Sequence, residues 1–236
     1  MKTVCFKDLG SIRYADAFAY QLQLFDQNTA IKLKNREEGN TNKQPTTDYL
    51  LFCEHPHVIT LGKSGKNSNL LLNEEQLTKA GIEYYPTTRG GDITYHGPGQ
   101  IVGYPVIDLE HFFTDAHRYM FYLEELIILT LKDYGIEGGR INGMTGVWLD
   151  YDKPHLARKI CAMGVKISRW ITMHGFALNV NTNLDYFNFI IPCGIEGKAV
   201  TSLQKELHTE IDIEDVKRKL KKNFCSLFGV EMTSME

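Results

Sequence analysis

Arg89–Leu109 reads RGGDITYHGPGQIVGYPVIDL, a glycine- and proline-rich string that runs straight into an apolar one. Five of its first twelve residues, Arg89–Gln100, are Gly or Pro, yet strand-like segments flank it, Ile82–Thr87 before and Val102–Leu109 after. Adjacent glycines let a main chain take φ > 0 and approach a ligand closely. Arg89 stands beside Gly90 and Gly91, and Tyr95 and His96 lie in the same loop, so hydrogen-bonding side chains accompany the open backbone. A surface turn needs none of these residues. The stretch reads as a ligand-facing loop between two strands of a mixed α/β domain.

Reading outward, Val4–Leu9 has strand character, and Ala15–Leu33 carries apolar residues at helical spacing with Asp16 near its start. Lys34–Thr47 is polar and interrupted by Gly and Pro, an exposed loop. Strand-like runs follow at Tyr49–Glu54 and Val58–Leu61, then a short helix at Glu74–Ala80 that Gly81 stops. Ala116–Tyr134 is the clearest helix, with Gly135 placed to end it. Further strands are read at Gly146–Leu149, Lys159–Ile167 and Met173–Val180, and a closing amphipathic helix at Glu214–Phe228. No internal repeat is present, and residues 1–236 are expected to form one α/β domain.

Composition narrows the function classes. Hydrophobic residues make up 43% and charged residues 23%, as in ordinary globular proteins. A formal net charge of -3 gives no electrostatic case for nucleic acid or a membrane surface as partner. No apolar run is long enough to span a bilayer, and Met1–Gly10 lacks the hydrophobic stretch of a signal peptide. Five scattered cysteines (Cys5, Cys53, Cys161, Cys193 and Cys225) fit free thiols in a reducing compartment, so a cytoplasmic location is expected.

Two nucleotide motifs are excluded. Gly62-Lys63-Ser64 ends like a phosphate-binding loop, but His57 stands where its first glycine is needed. Gly97, Gly99 and Gly103 are spaced wrongly for a dinucleotide fingerprint and precede a strand rather than a helix. Metal ligation has weak support: Cys53, His55 and His57 alternate, and His155, Cys161 and His174 are further donors, but no CxxC or HExxH pair occurs. Cys193, between Pro192 and Gly194, sits in a turn where a thiol is accessible, and a cationic neighbour would raise its thiolate fraction. Cys161 is the rival nucleophile, because strict strand alternation puts Lys159, Cys161 and Met163 on one face.

Taken together, EHPHVITLG (Glu54–Gly62), Arg89–Leu109, GVW (Gly146–Trp148), KICAMGVKI (Lys159–Ile167), HGFALNVN (His174–Asn181) and IPCGI (Ile191–Ile195) resemble the lipoyl(octanoyl) transferase family. His57 and Ile59 stand where that family often has proline and tyrosine. The resemblance implies an α+β fold like the biotin-protein-ligase and lipoate-ligase catalytic domains, a mixed sheet with flanking helices. It implies transfer of an octanoyl group from octanoyl-acyl carrier protein to a lysine of a lipoyl domain of the 2-oxoacid dehydrogenases, or of the glycine-cleavage H protein. No cofactor is implied. Cys193 aligns with the family's nucleophile and Lys159 with the lysine that lowers its pKa. The family's acyl-pocket segments align with Arg89, Gly90, Gly91, Asp92, Ile93, Thr94, Tyr95 and His96, with Ala162, Met163 and Gly164, and with Gly175, Phe176 and Ala177.

Other readings stay open on the residues alone: an ATP-dependent lipoate or biotin ligase, an amidotransferase moving lipoyl groups between proteins, or a binding module without chemistry. The small residues Ala162, Gly164, Gly175 and Ala177 would leave a slot for an alkyl chain. On that reading, Gly175→Leu is expected to shorten the chain accepted in a transfer assay, and an unchanged chain preference would contradict it.

Overall fold

A computed structural model describes residues 2–37, 41–191 and 199–235. Strand β1 (Lys2–Ser11) leads to helix α1 (Tyr14–Asn35), β2 (Asp48–Glu54) and β3 (Val58–Leu61). Helix α2 (Glu74–Lys79) precedes β4 (Glu83–Pro86), β5 (Ile93–His96) and β6 (Gln100–Val106). Helix α3 (Ala116–Lys132) is followed by β7 (Gly139–Ile141), β8 (Met144–Leu149), β9 (Arg158–Ser168) and β10 (Ile171–Asn179). Then come β11 (Ala199–Val200), α4 (Leu203–Leu207), α5 (Ile213–Phe228) and β12 (Val230–Ser234).

The helix limits follow local chemistry. Asn73 and Gln76 form a reciprocal capping box at the start of α2, and Asp115 accepts from the His117 and Arg118 N–H groups at the start of α3. Gly81 and Gly135, read as helix stops, both take positive φ. Helix α1 runs two residues beyond the sequence reading, to Asn35, with Lys32 and Lys34 in its last turn where the helix dipole favours cations.

The larger sheet has the order β12-β1-β2-β6-β10-β9-β8-β7, with β11 paired to β9. β1 pairs in parallel with both β12 and β2, whereas β2, β6, β10, β9, β8 and β7 are successively antiparallel. Period-two alternation splits its side chains between two layers. Leu50 and Phe52 of β2 and Leu178 of β10 join one core with α3 and α5, while Leu51, Val102, Met173 and Ala177 join a second with α1. Burying one such large side chain contributes roughly 1.5–3 kcal/mol. The smaller sheet, β4-β3-β5, carries its own apolar cluster around Ile59, Tyr95 and Phe187. The expected mixed sheet with flanking helices is what forms.

Two sequence readings change. Ile93–His96 is strand β5, antiparallel to β3, and not part of a loop; its Ile-Thr-Tyr sequence favours a strand, but the glycines on either side mask the signal. The strand read at Val102–Leu109 begins at Gln100 and stops at Val106, because Asp108 caps a 3-10 turn over Leu109–His111. The polar stretch before β2 is exposed but anchored. Asn35 and Gln44 exchange hydrogen bonds, as do Asn28 and Thr47, and Thr46 donates to Asp108. Asp108 also accepts from buried Lys32 at 2.7 Å, which ties the end of α1 to the end of β6.

At the centre of the larger sheet β6 and β10 approach too closely for a side chain at Gly175, where a Cβ would stand 2.1 Å from the Gly103 carbonyl oxygen. Gly175→Leu therefore disturbs the sheet and cannot report on chain length. Even Gly175→Ala should cost about 1–3 kcal/mol of stability, read as a lower urea midpoint at unchanged slope; an unaltered midpoint would show that the strands can separate without cost.

Candidate active site

A cavity of about 530 Å³ opens between the two sheets, within the range of small-molecule sites. Its wall is the loop quoted first. Gly90 N–H donates to the Val165 carbonyl of β9 at 2.9 Å, while Lys63 and Ser64, just past β3, donate to the Arg89 and Gly91 carbonyls. The contact with β9 is backbone on backbone, since a Cβ at Gly164 would stand 2.7 Å from the Gly90 oxygen. Buried Arg89 laces the wall, donating from Nη2 to the Thr60 carbonyl and hydroxyl at 2.8 and 3.0 Å. Asp92 accepts from Ile93 N–H and from Asn69 Nδ2, which fixes the entry to β5.

Lys159 reaches the cavity by a defect in the strand. β9 pairs Cys161 with Val147 and Lys159 with Trp148, so Ile160 is an extra residue against β8. Ile160 and Cys161 therefore both pack into the core with α3 and α5, and Lys159 turns to line the cavity with Nζ 4.6 Å from the Trp148 ring centroid. The shared face read from strict alternation is thereby corrected. Cys161 is fully buried, and burial pushes its thiol far up, outweighing the Lys159 charge that lowers it. On the other edge of β9, Val200 of β11 pairs with Lys159 and also lines the cavity.

Every candidate pocket residue from the three segments lines this cavity except Tyr95. Tyr95 points into the smaller sheet's cluster, where its hydroxyl meets His57 Nδ1 at 2.8 Å and its ring stacks on Tyr186. His57 itself stacks on Tyr186 at 4.2 Å. Cys193 lies outside the described residues. Tyr14, Val102, Tyr104, Trp148 and Phe187 also line the cavity. Val102 and Tyr104 alternate along β6, a signal present in the sequence, but which face meets the cavity depends on the sheet order. Among the described residues no group of three or more His, Cys, Asp or Glu side chains could hold a metal ion, and no helix is long and apolar enough to cross a membrane.

Three buried histidines stand around the Tyr14 end. His55 donates from Nδ1 to the Ile12 carbonyl and accepts at Nε2 from the Tyr104 hydroxyl, both at 2.7 Å. His96 is oriented by a chain of amides: Asn179 Nδ2 donates to the Thr201 carbonyl, Gln100 Nε2 to Asn179 Oδ1, and His96 Nδ1 to Gln100 Oε1. Its Nε2 is 3.5 Å from the Thr60 hydroxyl. His174 has φ +63 in the middle of β10, a strained value for a non-glycine residue, and stacks on Phe18 of α1. Burial lowers the pKa of His55 to about 4, and of His96 and His174 to about 3, with the Arg89 charge adding to the last two. All three are neutral at physiological pH.

The family described as the lipoyl protein ligase A/B catalytic domain matches residues 13–225. An octanoyltransferase of Flavobacterium johnsoniae is 58% identical over 98% of this chain and 99% of its own. One from Cytophaga hutchinsonii is 56% identical over 98% and 95%. Among solved structures, one from a study of a bi-partite lipoate protein ligase and its E2 lipoyl domain from Thermoplasma acidophilum superposes with a TM-score of 0.69. It covers 100% of this chain and 87% of its own at 14% identity, a likeness of fold.

The three histidines bind fewer protons folded than unfolded between about pH 3 and pH 6.5, so their contribution to stability is complete above pH 6.5 and is lost as pH falls. His111, raised by its hydrogen bond to Asp48, opposes them. Each proton difference is worth about 1.4 kcal/mol per pH unit. Urea unfolding at pH 7, 6 and 5 should show a net fall steeper than one such step per unit below pH 6; a flat profile would mean that the folded state protonates these rings.

Proposed function

This chain belongs to the lipoyl protein ligase A/B catalytic family and is an octanoyl-transferring enzyme, and from that premise we propose a two-step transfer through Cys193. The donor is octanoyl-acyl carrier protein, and the acceptor is a lysine of a lipoyl domain or of the glycine-cleavage H protein. In the first step the Cys193 thiolate attacks the donor thioester carbonyl. The new C–S bond to the enzyme forms, the bond to the carrier's sulfur breaks, and that sulfur leaves as a thiol with the proton that the Lys159 ammonium gives up. In the second step the acceptor amine attacks, an amide C–N bond forms, Cys193 departs as thiolate, and Lys159 takes the amine's proton and restores its own ammonium charge. Exchange between thioesters is nearly isoenergetic and the amide lies lower, so the donor itself supplies the driving force.

The observation that carries this reading is the extra residue in β9, which turns Lys159 into the cavity while Cys161 stays in the core. Supporting it, the chain that follows Cys193 re-enters the described structure at Ala199–Val200, hydrogen-bonded along Lys159. Cys161, Cys53, Cys5 and Cys225 do not line the cavity. Arg89–Thr94, His96, Ala162–Gly164 and Gly175–Ala177 act as the acyl-binding wall in this proposal, and Tyr95 supports it from behind.

Mixing the enzyme with octanoyl-acyl carrier protein without ATP should give an octanoyl adduct by intact mass spectrometry, removed by hydroxylamine and missing in Cys193→Ala. Transfer that requires ATP and free octanoate would favour a ligase instead. Lys159→Met should slow acylation at pH 7 by about 10–100-fold, as loss of one to two units of thiol activation requires, and the deficit should shrink at pH 9; a pH-independent deficit would remove Lys159 from thiol activation. Ala162→Leu adds bulk inside the cavity without the clash at Gly175, and competing octanoyl and butanoyl donors should then show a shift toward butanoyl.

A further inference from the structure

Strand β8 loses its regular pairing on both sides around Gly146. Toward β7, Gly139 pairs with Trp148 and Ile141 with Met144, so Thr145, Gly146 and Val147 stand opposite Arg140 alone. Toward β9, Ile160 is the extra residue. Gly146 itself is buried and has φ +116, a value that glycine adopts and other residues rarely do. A buried main-chain N–H needs a partner, and Glu124 of α3 provides one here. Its Oε1 accepts the Gly146 N–H at 3.1 Å, and its Oε2 accepts from Arg140 Nε at 2.9 Å. One carboxylate, its side chain 13% exposed, thus fills the place where β7 and β8 part.

Lys159 rests on the same glycine. A Cβ at Gly146 would stand 3.5 Å from Lys159 Cε and 3.6 Å from Cδ, so the stem of the lysine lies across it. That Cβ would also stand 2.5 Å from the Cys161 carbonyl oxygen, so β8 and β9 touch backbone to backbone at this point. From there Nζ reaches the Trp148 ring, 4.6 Å from its centroid, and the cavity. We propose that Glu124 is a positioning residue: by holding Gly146 it fixes the surface on which Lys159 lies and so keeps the ammonium in the cavity. For its effect on rate the proposal rests on the reading of Lys159 as the group that activates the thiol; for the position of the lysine it does not. Glu124 does not line the cavity, so it acts through Gly146 and Lys159 and not on substrate. Its contribution is an acceptor oxygen at one place, its charge being matched by Arg140. An amide oxygen in that place would serve equally.

The test compares Glu124→Ala with Glu124→Gln by two readouts. Reductive methylation with isotope-labelled formaldehyde gives each lysine an NMR signal, and that of Lys159 is assigned by its loss in Lys159→Arg. Next to the Trp148 ring this signal should be displaced from its urea-unfolded position in wild type and in Glu124→Gln, and should return most of the way in Glu124→Ala. Formation of the octanoyl-enzyme should be about 10-fold slower at pH 7 in Glu124→Ala, as loss of one unit of thiol activation requires. That deficit should shrink at pH 9, and Glu124→Gln should keep most of the wild-type rate. In a Lys159→Met background Glu124→Ala should cost nothing further, since both changes remove the same contribution. A Lys159 signal unmoved by Glu124→Ala, a Glu124→Gln variant as impaired as Glu124→Ala, or a full added deficit on top of Lys159→Met would each overturn the proposal. If Glu124→Ala does not fold, Glu124→Asp, which keeps the charge but withdraws the oxygen by one methylene, takes its place with the same expectations. A Lys159→Met variant without a pH-dependent deficit would count against thiol activation by Lys159, and the Lys159 signal would still judge Glu124.

Discussion

The structure depends on a backbone-to-backbone contact between its two sheets. Arg89–Asp92 is gripped on one side by the turn after β3 and on the other by β9, with main-chain hydrogen bonds from Lys63, Ser64 and Gly90. Such contacts leave no space for a side chain at Gly62 or Gly164 and little at Gly90, while Gly91 is required by its positive φ of +83. They also hold the wall at a fixed height above the larger sheet. The cavity beneath is thereby a gap of defined width, completed by side chains such as Trp148, Phe176 and Phe187. Arg89 contributes by tying the wall to Thr60 and, through its charge, by adding to the burial that keeps His96 and His174 neutral.

Apart from Arg89, Asp92 and Lys159, the cavity is lined by uncharged groups, among them imidazoles held neutral. The amide chain from Thr201 through Asn179 and Gln100 to His96 assigns each proton, so that His96 presents no charge and little unused polarity. His55 is satisfied in the same manner by Ile12 and Tyr104. The polar groups cost little once paired, and they orient one another more tightly than aliphatic packing does.

Much of this was legible in the sequence, and the rest was not for identifiable reasons. The long helices α1, α3 and α5 and the strands β2, β6, β9 and β10 announce themselves by periodicity, and the pocket segments by their motifs. Strand β5 was hidden because four residues between glycines have no room to establish a period. The direction of Tyr95 follows from β5 being a strand, so that misreading carried over. Lys159 and Cys161 were put on one face because alternation assumes an uninterrupted ladder, and the interruption is made by β8, far away in the chain. Gly175 looked like an empty place beside the cavity, but the space is already taken by the Gly103 carbonyl.

The inserted residue at Ile160 has an evolutionary consequence. Its side chain needs only to be apolar, so the position can drift among aliphatic residues without disturbing Lys159. What cannot drift is the number of residues. Adding a residue to β8 opposite Ile160 would restore strict pairing and turn the ammonium from the cavity into the apolar core, on the face of Cys161, where an unpaired charge is costly. Lineages of this enzyme are thus free to change the letter at this position, while the one-residue difference in length between β9 and the facing stretch of β8 is inherited as fixed.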